Sequence, residues 1–106
     1  MDNKHDILVK AEQFVKEEKF KDAIELLNTF LANNSEDMDI LLKKAFLLKQ
    51  MQKFSDALNT LKKVFDNDPE NAEALKLHAM IMDILRFQQT DIYASTNLSN
   101  DPWLDE

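Results

Sequence analysis

Side chains able to do acid–base, nucleophilic or metal chemistry are few in this chain, and they are not gathered. His5 and His78 are the only histidines and stand near opposite ends of the sequence. Neither has a carboxylate or nucleophile at a spacing that implies a working pair. His78 falls in a mostly apolar stretch, where a packed or partly exposed ring is expected rather than a ligand. Adjacent acids occur at Glu17 and Glu18, at Glu36 and Asp37, and at Asp105 and Glu106. These positions read as turns and ends, so solvated surface is expected there and no metal. The chain has no cysteine, which removes thiolate nucleophiles, zinc–thiolate sites and disulfides together. Glycine is also absent. Phosphate-cradling loops, dinucleotide fingerprints and nucleophile elbows need a residue without a Cβ where the backbone meets its ligand or turns sharply, and calcium loops need one as well. No enzyme activity and no cofactor is expected from this inventory.

What the surface offers instead is charge. Thirteen basic and 20 acidic residues give a net charge of −7, which repels phosphate backbones, so nucleic acid is not an expected partner. No apolar run approaches the roughly 20 residues that a bilayer requires, so a membrane is not expected either. The opening residues, MDNKHDILVK, lack the basic and apolar regions of a secretory signal, and a cytoplasmic setting is expected. A length of 106 residues fits one small domain.

The elements that must position any surface are helices. Ile7, Leu8, Ala11, Phe14 and Val15 have the spacing of one helical face over Ile7 to Glu18. Phe20, Ala23, Ile24, Leu27, Phe30 and Leu31 repeat it from Phe20 to Ala32. Asn33 and Asn34 suit a C-cap, and Ser35 or Asp37 an N-cap. A third helix is predicted over Asp37 to Gln52, a fourth over Ser55 to Asp66, stopped ahead of Pro69, and a fifth over Glu70 to about Arg86. No segment alternates with the period of a strand.

These helices repeat one another. KFKDAI at 19–24 and KFSDAL at 53–58 place their alanines 34 residues apart. The same interval aligns Ile7, Leu41 and Leu75; Ala11, Ala45 and Ala79; and Phe14, Leu48 and Met82. In the even helices it aligns Phe20 with Phe54, Ala23 with Ala57, Leu27 with Leu61, and Phe30 with Val64. Bulky columns stay bulky and alanine columns stay alanine, as stacked helical hairpins require where two axes approach closely.

A period of 34 with these columns resembles the tetratricopeptide repeat family. The small residue in the first helix, the aromatic opening the second, the alanine following it and the closing proline are matched by Ala45, Phe54, Ala57 and Pro69. The first repeat carries Ala11, Phe20 and Ala23, with Ser35 in place of the proline. Lys19 and Lys53 stand at the turn where the family has glycine, and Ile7, Leu41 and Leu75 replace its early aromatic. The likeness covers residues 4–87. It implies an all-α, right-handed superhelical stack of antiparallel helix pairs, with two clear repeats and a degenerate third. The repeats are placed at about 4–37, 38–71 and 72–99, with 100–106 as an acidic tail. With a one-residue deletion Phe87 aligns with Phe54, and NDP at 100–102 with NDP at 67–69, so residues 88–99 are predicted to form a polar returning helix.

The resemblance also implies where a partner would sit. The family's concave face is lined by the first helix of each repeat. Carried over, it comprises His5, Leu8, Glu12 and Val15, then Asp39, Leu42, Lys43, Phe46 and Lys49, then Glu73, Lys76, Leu77, Met80 and Asp83. Leu8, Leu42, Phe46 and Met80 are more apolar than a solvated face needs, which suits either packing on neighbouring helices or a groove for a partner's helix or extended peptide. The clamp by which some family members hold the C-terminal carboxylates of heat-shock chaperones maps to Leu8, Glu12, Lys43, Glu73 and Leu77. One positive charge beside two carboxylates does not make that clamp. The implied function is a non-enzymatic adaptor that binds another protein. The alternative is a self-assembling subunit that dimerises through the third repeat.

That alternative rests on ALKLHAMIMDILRF at 74–87, which is apolar on nearly every side. One side is expected to pack on the second repeat. The other, taken to include Ile81, Ile84 and Leu85, then needs cover from the returning helix, from the tail, or from a second molecule. Tyr93 and Trp103 are among the few apolar residues downstream that could supply it, with a solvated, disordered tail as the competing expectation.

Overall fold

A computed structural model describes residues 3–96, with side chains described as far as Gln88. Trp103 and the acidic tail lie outside the described residues, as does the side chain of Tyr93. The chain is all-α, a helical-repeat stack of five helices: α1 (Lys4–Lys16), α2 (Phe20–Leu31), α3 (Met38–Gln50), α4 (Phe54–Asn67) and α5 (Ala72–Thr96). No strand occurs among the described residues.

Local chemistry sets the helix starts. Asn3 Oδ1 accepts from the Asp6 N–H at 2.8 Å, Asp37 Oδ1 from Ile40 at 3.1 Å, and Asn71 Oδ1 from Ala74 at 2.9 Å. Each satisfies an amide that the first turn leaves without a carbonyl. The helices α2 and α4 begin without a side-chain cap, at Lys19 and Lys53. They start directly out of the turn that ends the helix before. The Lys19 N–H donates to the Phe14 carbonyl at 2.8 Å and the Glu18 N–H to Val15 at 2.9 Å, and Lys53 and Gln52 do the same to Leu48 and Lys49. This paired closure needs one left-handed residue. That residue is Glu18 (φ 60°) and Gln52 (φ 63°), one position before the Lys19 and Lys53 that the sequence comparison had placed at the glycine position.

Two apolar clusters fill the stack. The first joins Ile7 and Ala11 of α1, Ala23 and Leu27 of α2, and Ile40 and Leu47 of α3. The second joins Leu41, Ala45 and Leu48 of α3 to Ala57, Leu61 and Val64 of α4 and to Ala74, Leu77 and Ile81 of α5. The alanine columns are fully enclosed at Ala11, Ala23, Ala45 and Ala57, each 0 % exposed, because the helix axes cross there. Two faces of α3 are buried, one in each cluster, which is why its sequence is apolar almost all round.

The third repeat departs from expectation. Residues 88–96 do not form a returning helix but continue α5, which runs unbroken for 25 residues to Thr96. The physical reason lies in the turn. Phe14 to Phe20 and Leu48 to Phe54 each span one residue more than Met82 to Phe87. The two-bond closure has no room without that residue, and a helix denied its turn continues.

Candidate functional site

One side chain every third or fourth residue of α1, α3 and α5 points to the same side of the stack, because those spacings recur on one helical face. Leu8 and Glu12 of α1, Asp39, Leu42, Lys43 and Phe46 of α3, and Glu73, Lys76, Leu77 and Met80 of α5 enclose a groove of about 520 Å³. Its floor is Leu42, half-buried, and Leu77, 7 % exposed. Phe46 and Met80 stand proud of it at 40 % and 42 % exposure. Both are large apolar side chains held in water by a packed scaffold, and burying them is favourable for any surface that fits.

Charges frame this strip. Lys43 Nζ donates to Glu12 Oε2 at 2.7 Å across α1 and α3. That hydrogen bond, and then the lysine's charge, hold the Glu12 carboxyl below the usual carboxylate range. Lys4 Nζ reaches Asp39 at 2.8 Å and Asp37 at 3.4 Å. The bond to Asp39 is the main cause of the upward shift of the Lys4 ammonium. Lys43 and Lys49 place their ammonium groups 5.9 Å and 5.3 Å from the centre of the Phe46 ring, within cation–π range. The ring thus has two cations close to it and also lines the groove. Nothing here resembles a nucleophile with its base. The arrangement can bind, through an apolar strip and a rim of both signs.

The structure brings together most of the residues expected on this face. Val15 is instead half-buried against the first cluster. Lys49 acts on the Phe46 ring rather than lining the groove. Asp83 lies outside it and pairs with Arg86 at 3.2 Å. His5 is exposed at the start of α1, and His78 is half-buried with its ring edge-on to Phe65 at 5.9 Å. The five positions of the carboxylate clamp do line the groove, but Lys43, the sole cation among them, is already engaged by Glu12.

The residues expected to cap or dimerise through α5 need correction. Ile81 is 0 % exposed and belongs to the second cluster, and Leu85 packs against that cluster. Ile84 is half-buried. These side chains face inward, because α5 lies on both α3 and α4 and buries a wider arc than one neighbour would. The uncovered side of α5 carries Leu75 and Met82, at 49 % and 38 % exposure.

Sequence reasoning passed over a second concavity, of about 780 Å³, between α2 and α4 on the other side of the stack. Lys21, Lys44, Lys53 and Lys63 line it together with Asp22, Glu25 and Asp56. Burial, followed by the charge of Lys63, pushes the Lys44 ammonium down from its ordinary value. Ile24, Leu48 and Met51 line it as well, and charged residues on helix surfaces carry no periodic signal that would mark a concavity. Among the described residues no group of three or more histidines and acids is placed to hold a metal ion. No described helix is long and apolar enough to cross a membrane.

The family model described as tetratricopeptide repeat matches residues 14–81. No curated protein and no solved structure matches the chain.

Proposed function

Since this chain belongs to the tetratricopeptide repeat family, whose repeats generally mediate protein–protein interaction, we propose that its groove binds an amphipathic helix or extended segment of a partner protein. It acts as a non-enzymatic adaptor in the cytoplasm. The observation that carries this reading is the exposure of Phe46 and Met80 on facing helices of one concave surface. A solvated face has no use for two large apolar side chains at that place, and a partner's apolar stripe does. The rim sets orientation. Lys43 and Glu12 satisfy each other, whereas Lys76 has no ion pair among the described residues and is open to a carboxylate from the ligand. The ligand differs from a chaperone C-terminus, because Glu12 and Glu73 stand at clamp positions and repel a terminal carboxylate.

The test is selection of binders from a library of helical and extended peptides displayed to the intact chain, followed by calorimetry. Phe46→Glu and Met80→Glu are each expected to weaken selected peptides by at least about tenfold, with circular dichroism unchanged. Added salt is expected to weaken binding without abolishing it. Peptides that ignore both substitutions overturn the groove as the binding site.

A further inference from the structure

The stack has an uncovered end. In the first two repeats, one column of the odd-numbered helix is sealed by the helix that returns beside it: Ala11 is 0 % exposed, and Leu41 and Leu48 are 1 % and 5 % exposed. The corresponding residues of α5 are Leu75, Ala79 and Met82, all exposed. Because α5 does not turn back, no described helix of its own repeat lies over them. The buried face of α5, centred on Ala74 and Ile81, lies about 100° round the helix from them.

Two features of this stripe indicate what fits it. Leu75 and Met82 flank an alanine at helical spacing, which is the arrangement that lets a second helix axis approach closely in the interior of this same molecule. The stripe is also self-complementary. Lys76 and Asp83 stand seven positions apart along one flank of it. A two-fold axis near Ala79 that runs a second α5 antiparallel to the first brings Asp83 of each copy to within one residue's rise of Lys76 of the other, and Met82 to within the same distance of Leu75. A contact between identical surfaces requires that pairing to be reciprocal. A stripe made for an unrelated helix has no need to carry opposite charges three residues before and four after its small residue, on one flank. Among the described residues Asp83 pairs through one oxygen with Arg86, at 3.2 Å on the surface.

We infer that a second copy of this chain covers the open face of α5, in an antiparallel two-fold contact with Ala79 at the crossing. Phe46 lies on α3, away from this contact, so each copy keeps the apolar strip of its groove, while Lys76, which also lines the groove, is drawn to Asp83 of the other copy in the dimer.

Sedimentation equilibrium of the full chain over a wide concentration range tests the inference. The mass is expected to move from monomer to dimer as concentration rises. Leu75→Glu and Met82→Glu, at exposed positions that leave the helical signal intact, are expected to hold it at monomer. Lys76→Glu and Asp83→Lys should each weaken the dimer about tenfold, and the two together should restore it. A wild-type chain that stays monomeric at every concentration overturns the inference, and so does a dimer indifferent to Met82→Glu. A double charge swap that fails to restore association overturns the antiparallel register. A monomer that loses thermal stability on Met82→Glu also overturns it, and assigns the stripe to the chain's own residues beyond Thr96.

Discussion

Ala57 has no exposed surface where α4 crosses α3, so a larger side chain has no free volume to enter. Ala57→Leu is expected to cost about 1–3 kcal/mol through overpacking, read from the urea midpoint, while Lys62→Ala on the exposed face of α4 stays within about 0.5 kcal/mol. Gln52 illustrates the opposite situation. It holds φ at 63°, a conformation that its Cβ resists and that glycine adopts freely. Gln52→Gly is therefore expected to stabilise the chain by roughly 0.5–1 kcal/mol, with the added freedom of the unfolded chain setting the upper limit. The carboxyl of Glu12 gives a pH dependence. Its folded value lies below the unfolded one because of Lys43. The pair therefore contributes fully above the ordinary glutamate range and loses its contribution as pH falls through the lower folded value. Glu12 is half in solvent, so Glu12→Gln is expected to cost at most about 0.5 kcal/mol at neutral pH, with the difference vanishing in acid. The enclosed alanines were legible in the sequence, since small residues recur at the repeat interval where helices cross, although Ala79 in the same column is exposed. The exposure of Phe46 was not, because an apolar residue at helical spacing looks the same whether a neighbouring helix covers it or not.

Helix α5 shows how much hangs on the register of one element. Ile81 is sealed between α3 and α4 while Met82, the next residue, is open to solvent. Ile81→Ala is expected to cost about 2–5 kcal/mol, and Met82→Ala under about 0.5 kcal/mol in dilute solution, both by thermal or urea denaturation. Equal losses would contradict the orientation of α5. The starts and ends of α1 to α4 were readable to within a few residues, because caps and the prolyl stop act locally. The end of α5 was not. An aligned aromatic at Phe87 suggested a returning helix, yet a hairpin also requires enough residues to close its turn, and the deletion that improved the alignment removed one of them. Ile81 and Leu85 were assigned to the wrong side for a related reason: periodicity gives the width of an apolar arc but not which part of it meets a neighbour.

At the scale of the whole molecule, the repeat interval carried the architecture, since a stack of hairpins is the arrangement in which every column meets its own kind. It carried the groove in outline too, through the helices that line one side. Neither the interval nor the groove names a partner, because the side chains on a binding face are under no packing constraint. Such a stack also lacks a centre in the usual sense. The main contacts of α1 are with α2, and those of α5 with α3 and α4, while α3 alone supplies fully buried residues to both clusters. Cohesion is passed from neighbour to neighbour, and openings that start at an end need break only one interface. Deuterium uptake followed by mass spectrometry is accordingly expected to be slowest in α3 and α4 and faster in α1 and the far part of α5; uniform protection across all five would mean that the chain opens only as a unit. Such a gradient would leave the Phe46 wall of the groove standing while the Leu8 wall frays, and a ligand that bridges both would act as a splint.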